Sequence, residues 1–507
     1  MRRRILPTLP VLLFLLAASG TLPAIEPQLV ATPRAKALPL SKTNRPFLAA
    51  ARTVQPVALE AAGYAESEFI VSGQADIYEW SGNEPAPTLA VRTADVPYAT
   101  RMLLRRPVDR RKFSGLVVVE LLDASELYDR APLWGLSWQH LLRRGDAWVG
   151  ITVQPAALAA LRKFDPVRYG SVGFTHRQQC GQSQQDSREN PPDSESGLAW
   201  GVIAQVGALL RSSSKENPLL ELNPRFLIAA GYAQAGAYVT TYANELHAVL
   251  RRADDVPVYD GFLSAGAARF TAPINRCAPP LPDTDPRRGV LPRDVPFVAV
   301  TTEADFNLLP ALRRADSDTP GDVYRLYEIA AAAAADPIPA GTPATPDLQI
   351  AALALPATDL CAEPRSDLPQ RLAYNAIWQQ YADWLIAARP MLSLPRIETL
   401  ADGAPRRDEL GNASGGWRLP QVEVPLARYA GHSTPRDAGN PGAAASCAFT
   451  GAKQPFEPAK LKSQYRDRAG YLRLFRAAVD RAVQDRQLVR EDGETLKGPQ
   501  GLFVPTF

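Results

Sequence analysis

Several things are scarce in this chain, and each scarcity removes a class of function. Net charge is nearly absent: the formal balance is +3 over 507 residues, and three positive charges, Arg2, Arg3 and Arg4, sit together at the N-terminus. Without them the chain is neutral, so it has no electrostatic footprint for nucleic acid. Long hydrophobic runs are missing after the first twenty residues, and no later stretch reaches the ~20 apolar residues of a spanning helix. Cysteine is limited to Cys180, Cys277, Cys361 and Cys447. None has CxxC spacing or histidines at metal-ligand spacing, which argues against a zinc site, and no metal or cofactor is implied. Histidine is equally sparse, with only four in the chain. Internal repeats and low-complexity tracts are lacking, the alanine run at 330–335 being too short to count.

Proline, by contrast, is plentiful at 47 residues, about twice the ordinary share, and points to long, stiff connections. The N-terminus explains the arginine cluster. Met1 to Arg4 is a positive segment, Ile5 to Ala18 is apolar around the block VLLFLL, and Ala18, Ser19 and Gly20 are small. This order predicts a secretory signal peptide over 1–20, cleaved after Gly20, and hence a secreted or periplasmic protein with no stable membrane span after signal removal. RRRIL is too weak a match to separate a twin-arginine from a general export signal. In an oxidising compartment four cysteines can form two disulfides, with three connectivities open.

The middle of the chain alternates strand and helix patterns. Leu116–Leu122 and Ala147–Val153 read as buried strands, and Leu198–Leu210 has helical periodicity. Phe226–Ala230 reads as a short strand and Ala235–Leu250 as a helix. Pro257–Leu263 and Pro296–Thr301 are two further strands, and Leu372–Ala388 is a long amphipathic helix. Alternation of this kind predicts a mostly parallel central sheet with helices on both faces. Residues 21–59 are expected to form an irregular lead-in and 60–390 the α/β domain. The proline- and glycine-rich stretch after 391, with a last helix over Gly470–Gln487, is expected to be a C-terminal extension (391–507) integrated with that domain rather than a separate globule.

The segment FLIAAGYAQAGAYVTTYAN, residues 226–244, carries the chemistry. A strand ends in Gly231, turns through Ala233 and enters a helix, with the small residues Ala235 and Gly236 where strand and helix must pass closely. That is the layout of a nucleophile elbow, in which a serine sits on a strained strand-to-helix turn. Here the serine's place is held by Ala233, and a methyl group cannot attack a carbonyl.

The sequence resembles a family of large exported proteins of the α/β hydrolase domain type, whose elbow reads roughly G-E-S-Q-S-A and is followed by a strand Y-D-G-F-L. This chain has Gly231-Tyr232-Ala233-Gln234-Ala235-Gly236 and Tyr259-Asp260-Gly261-Phe262-Leu263. Pro97–Arg101, Phe113–Glu120 and Gly145–Ile151 resemble the family's early strands, Thr302-Glu303-Ala304-Asp305 its T-E-T-D, and Gly415–Pro420 its G-G-I-R-L-P. The similar motifs run in the family's order over about 60–490. The resemblance implies an α/β-hydrolase fold and a serine hydrolase ancestry of the esterase-like kind. It also implies that the base belongs in a segment like E-V-A-G-T-A-H-A-D, which matches 328–336 here and puts Ala334 in the histidine slot.

Nucleophile and base slots, Ala233 and Ala334, are thus both alanine, and only the acid slot is filled, by Glu303 or Asp305. The oxyanion donors are expected from the amide of Gln234 and from the loop after Leu122, near Asp123. Substitutes are poor. His432-Ser433 lies in G-H-S-T-P, which lacks the closing glycine of an elbow. Ser264 lacks flanking glycines, His140 lies in a helix-like stretch with Trp134 and Trp138, His247 is near the end of the elbow helix, and His176, in a polar loop with Cys180, reads better as a surface histidine than as a substitute base. The reading is a fold-retaining pseudoenzyme that binds a small ester- or acyl-type ligand without efficient turnover. The alternatives are an active hydrolase with a substitute nucleophile or activated water, and a non-catalytic scaffold.

Overall fold

The computed structural model describes residues 26–498 apart from 42–43, 83–87, 178–179, 181–186, 336 and 356–359. The expected signal peptide lies outside the described residues.

A ten-stranded sheet forms the spine. In chain order its strands are β1 (Arg34–Leu38), β2 (Tyr64–Ser81), β3 (Thr88–Pro107), β4 (Leu116–Leu121), β5 (Ala147–Ile151), β6 (Phe226–Tyr232), β7 (Gly261–Ala265), β8 (Phe297–Thr302), β9 (Ser317–Thr319) and β10 (Asp322–Ile329). Their spatial order is β9-β10-β8-β7-β6-β4-β5-β3-β2-β1. The six strands from β10 to β5 run parallel. Antiparallel strands flank them, β9 on one side and β3, β2 and β1 on the other. Every residue of β4 and β5 is buried, the condition under which strands read as continuous apolar runs.

The main helices are α1 (Pro132–Arg144), α2 (Pro155–Phe164), α3 (Leu198–Arg211), α4 (Gln234–Thr241), α5 (Arg371–Ala387), α6 (Pro441–Cys447) and α7 (Arg468–Gln484). Helix α1 opens on Pro132 at its first turn. It closes on Gly145 at φ 79°, whose N–H bonds the carbonyls of Leu141 and Leu142, the left-handed cap that glycine favours. Connection β4–α1–β5 steps one way along the sheet, while β6–α4–β7 steps the other. Right-handed crossovers in opposite directions place their helices on opposite faces. The reversal falls between β4 and β6, and the carboxyl ends of those two strands therefore border the crevice where α/β sheets bind ligands.

Two expectations shift. The lead-in is not wholly irregular: Arg34–Leu38 pairs antiparallel with β2 as the edge strand β1, and Gln28–Leu29 pairs with Leu250–Arg251. That second pairing also shortens the helix expected over Ala235–Leu250. Helix α4 ends at Thr241 and passes through a π turn, Tyr242–Leu246, before Leu250 is claimed by strand pairing. The C-terminal extension shares the main core. Leu461, Tyr465, Tyr471, Phe475 and Val479 belong to the same buried cluster as Trp134, Trp200 and Trp378, and Asn375 on α5 donates to Asp492 at 2.6 Å. Two disulfides form, Cys180–Cys277 and Cys361–Cys447. The second ties the loop after 360 to α6.

Candidate active site

At the end of β6 the chain turns through Ala233, with φ 52° and ψ −122°, and α4 begins at the next residue. A positive φ with this ψ is costly for any residue bearing a Cβ and is held only when its surroundings fix it. Here they do: the Ala233 N–H donates to the Ala265 carbonyl on β7 at 2.8 Å, and its own carbonyl accepts from Ala237 at 3.3 Å. Two glycines make the turn possible. A Cβ on Gly231 would collide with the backbone of Ala235 and Gly236, and one on Gly236 would lie 2.9 Å from the Ala267 methyl. The strand-to-helix turn at Ala233 is thus a strained one, with a buried methyl group at its apex.

The Gln234 amide is the first of α4, one of the orphan donors at a helix start. Among the described residues it has no acceptor. On the β4 side the sequence points to a donor near Asp123. Asp123 commits its own N–H to the Arg130 carbonyl at 3.0 Å, so it offers none to a ligand. Its carboxylate accepts from Arg130 Nη2 at 2.6 Å and from Ser125 Oγ at 2.8 Å, making it a brace for that loop. The following amide, of Ala124, is buried and has no acceptor among the described residues.

Ala334 lies in the loop after β10, and that loop reaches the elbow. The hydroxyl of Tyr232, next to Ala233, donates to the Ala334 carbonyl at 2.9 Å. Ala335 donates to the Phe449 carbonyl at 2.8 Å, and Gln370 reaches Ala333 at 3.3 Å.

The two candidate acids behave differently. Glu303 is saturated: its carboxylate accepts from the Ala331 amide at 2.8 Å and the Gly431 amide at 3.2 Å, and pairs with Arg407 at 2.7 Å. It ties together the loops that follow β8, β10 and the short strand Ala427–Ala430. Asp305 is fully buried, and only one of its oxygens is used, by the Thr302 amide at 2.6 Å and hydroxyl at 2.8 Å. Oδ2 has no partner among the described residues. Burial pushes this carboxyl up to about 6, against the pull of Thr302 and Arg269. Desolvation disfavours the charged form and the hydrogen bonds favour it, and here desolvation wins.

Three of the four histidines, His140, His176 and His247, have other surroundings. His140 is buried in α1, where burial lowers its pKa to about 3, so it is a neutral core residue. His247 packs edge-on to Phe262 and meets Asp294 at 2.5 Å. His176 is in a loop whose backbone pairs with Asp193. His432 is exposed and lines a cleft of about 350 Å³ with Glu303, Ala304 and Asn307. Neighbouring Ser433 bonds Glu363 through its hydroxyl and Cys447 through its amide, an ordinary loop arrangement. Ser264 donates to the Gly236 carbonyl at 2.9 Å, bracing α4 from below. Sequence reasoning passed over Tyr232, Ala124 and Tyr374. The Tyr374 hydroxyl is buried without a partner among the described residues, and its ring lies 6.5 Å from that of Tyr232. Tyr232 alone carried a signal, being inside the elbow motif. Among the described residues no group of three or more acidic, histidine or cysteine side chains is placed to hold a metal ion, and no helix is long and apolar enough to cross a membrane.

Solved structures match this chain only at low similarity. A dienelactone hydrolase from Anabaena variabilis is 13% identical, with 55% of this chain and 97% of that one covered at a TM-score of 0.27. A glucuronoyl esterase from Solibacter usitatus is 10% identical, with 60% and 83% covered at 0.29. No curated protein matches the sequence. The model of one family, described as an alpha/beta hydrolase domain, matches residues 30–497. With that match spanning nearly the whole chain, and a strained strand-to-helix elbow at the carboxyl edge of a parallel sheet, the protein belongs to the α/β hydrolase domain family.

Proposed function

We propose that the protein binds a small ester- or acyl-type ligand at the elbow and does not turn it over efficiently. The observation that carries this reading is Ala233: the backbone keeps the strained elbow conformation, φ 52° and ψ −122°, while the side chain that would use it is a methyl group. Strain of this kind is retained where the surrounding structure over-determines it. The amides of Gln234 and Ala124 are the donors for a ligand carbonyl oxygen. The slots for nucleophile and base are Ala233 and Ala334, and Asp305, with its unengaged oxygen, suits the acid slot better than the saturated Glu303.

Without a nucleophile and a proton shuttle the oxyanion donors alone give roughly 10³-fold over water, too little for a working enzyme. Asp305 supports a second reading. A carboxyl with an open oxygen and a pKa pushed up to about 6 is a competent base for a water molecule near neutral pH, and would give slow, serine-free hydrolysis. The N-terminal segment and the two disulfides favour an exported location.

The test uses the unmodified protein. It is expected to leave activated aryl esters at the background rate and to take no label from a fluorophosphonate, while non-hydrolysable ketone analogues of simple esters bind saturably. Labelling by the fluorophosphonate would point to a hidden serine. Ester turnover lost on Asp305→Asn would favour activated water. Absence of any ligand binding would leave the scaffold reading.

A further inference from the structure

Between β7 and Asn275 the chain crosses the elbow, and its first residues pack against it. The Ala265 carbonyl accepts the Ala233 amide at 2.8 Å. Gly266 takes φ 58°, where an added Cβ would stand 3.2 Å from the Tyr232 ring, and the Ala267 methyl lies against Gly236. Two residues later the loop presents Arg269. Its guanidinium carbon is 4.7 Å from the centre of the Phe270 ring and 4.1 Å from that of Phe449. The Phe449 carbonyl is the one paired with Ala335, beside the histidine slot. The cation is therefore fixed to both halves of the site, to the nucleophile turn through its own loop and to the Ala334 loop through the ring it rests on.

Ring faces hold a guanidinium in place but accept none of its five N–H donors in the plane. Among the described residues Arg269 has no hydrogen bond and no ion pair, and the side chain is exposed. Its charged neighbours do not neutralise it. Asp123 is already engaged by Arg130 at 2.6 Å, and among the described residues Asp305 forms no ion pair with the guanidinium. Burial around the guanidinium lowers its pKa against the opposing pull of Asp305, Tyr232 and Asp123, yet an arginine stays charged throughout. A fixed cation with open in-plane donors beside a carbonyl-binding turn has one obvious complement.

We infer that Arg269 recognises a carboxylate on the ligand, so that the bound molecule is an acyl or ester compound bearing a free carboxyl group at its other end, a half-ester of a dicarboxylic acid in the simplest case. This rests on the ester-binding reading above and narrows it. A planar carboxylate matches the paired donors of a guanidinium. It also brings a single negative charge to a site where Asp305 and Asp123 already lie close, whereas a doubly charged phosphate meets more repulsion.

The experiment compares monomethyl with dimethyl esters of succinic, glutaric, adipic and suberic acids, binding each to the unmodified protein, Arg269→Gln and Arg269→Lys at low salt. Methyl phosphate serves as the phosphate control. At least one half-ester is expected to bind about tenfold more tightly than its diester, the scale of one charge-assisted hydrogen bond. Arg269→Gln is expected to bring the two within about twofold while leaving diester affinity unchanged, and Arg269→Lys to keep part of the preference. Thermal melts of the two variants control for folding, and Arg269→Lys separates loss of charge from loss of packing on Phe449. Equal affinities in the unmodified protein, or a preference that survives Arg269→Gln, overturn the assignment while leaving ester binding intact. Tighter binding of methyl phosphate than of any half-ester overturns the choice of carboxylate. Binding of no member of the series removes the ester-binding reading and this inference with it.

Discussion

Replacing Ala233 by glycine isolates the strain in the elbow. At an ordinary buried position an Ala→Gly change costs roughly 0.5–1 kcal/mol in backbone entropy and about 0.8 kcal/mol for the lost methyl burial, together near 1.5 kcal/mol. Ala233 is 5% exposed, so the burial loss applies in full. Its φ of 52° with ψ −122° adds an opposing contribution, since a sparsely populated backbone conformation costs of order 1–3 kcal/mol and glycine relieves most of it. The sum runs from about 0.5 kcal/mol of destabilisation to about 1 kcal/mol of stabilisation. Ala237, one turn along α4 and 7% exposed, is the internal control: Ala237→Gly has ordinary helical geometry and is expected to lose about 1.5–2 kcal/mol. Urea unfolding of the three proteins, followed by tryptophan fluorescence with the m-values compared, measures both changes on one scale. If Ala233→Gly loses as much as Ala237→Gly, the turn is not strained and the elbow argument fails.

Three further outcomes follow from other parts of the structure. Glu120 is fully buried and accepts from the Leu133 and Trp134 amides and the Trp148 indole, each at 2.8 Å, and desolvation nonetheless pushes it up to about 7. A carboxyl raised in the folded state favours folding below its unfolded value. That advantage is lost as pH rises from about 4.5 to 7, by about 3 kcal/mol. The stability difference between Glu120→Gln and the unmodified protein should therefore shift in the variant's favour across that window in urea titrations, and a pH-independent difference refutes it. Breaking Cys361–Cys447 by a double serine change should cost about 4 kcal/mol, because the bridge closes 86 residues of chain and constrains the unfolded state accordingly; a loss under 1 kcal/mol contradicts this. Arg407→Met removes the cation that meets Glu303 and leaves that buried carboxylate short of a partner. The variant should unfold about 2–4 kcal/mol more easily, read as a lower urea midpoint.

The legible parts of the sequence were those with a local cause. Leu116–Leu122 and Ala147–Val153 are continuous apolar runs, and the strands they predict match to within two residues because a strand buried on both faces has no polar side to interrupt it. The sharp strand-to-helix turn was readable from Gly231 and Gly236, since close packing of strand on helix excludes a Cβ at both. The long hairpin of β2 and β3 was not, because charged and glycine residues such as Glu66, Glu68, Gly73 and Asp76 break the alternation over its length. Edge strand β1, with the sequence RAKAL, is defined by its partner β2 and carries no pattern of its own. Roles set by loop hydrogen bonds were likewise hidden. Nothing local says that Asp123 spends its amide on Arg130, that Glu303 is saturated while Asp305 keeps an oxygen open, or which cysteines meet. Arg269 is an isolated cation in a loop, and only the three-dimensional placement of Phe449 and the elbow gives it a role.

The most direct test of the account is to put the missing reagents back. Four proteins are assayed side by side on an activated aryl ester and with a fluorophosphonate label: the unmodified chain, Ala233→Ser, Ala334→His, and the double change. The serine alone lacks a base and the histidine alone lacks a nucleophile, so each should stay near background. The double change should exceed the sum of the singles by orders of magnitude, because nucleophile and base act as a unit, and should take the label on the introduced serine. A double variant that folds, binds ester analogues and still shows neither turnover nor labelling would contradict the central claim that Ala233 and Ala334 occupy the nucleophile and base positions of a preserved hydrolase site.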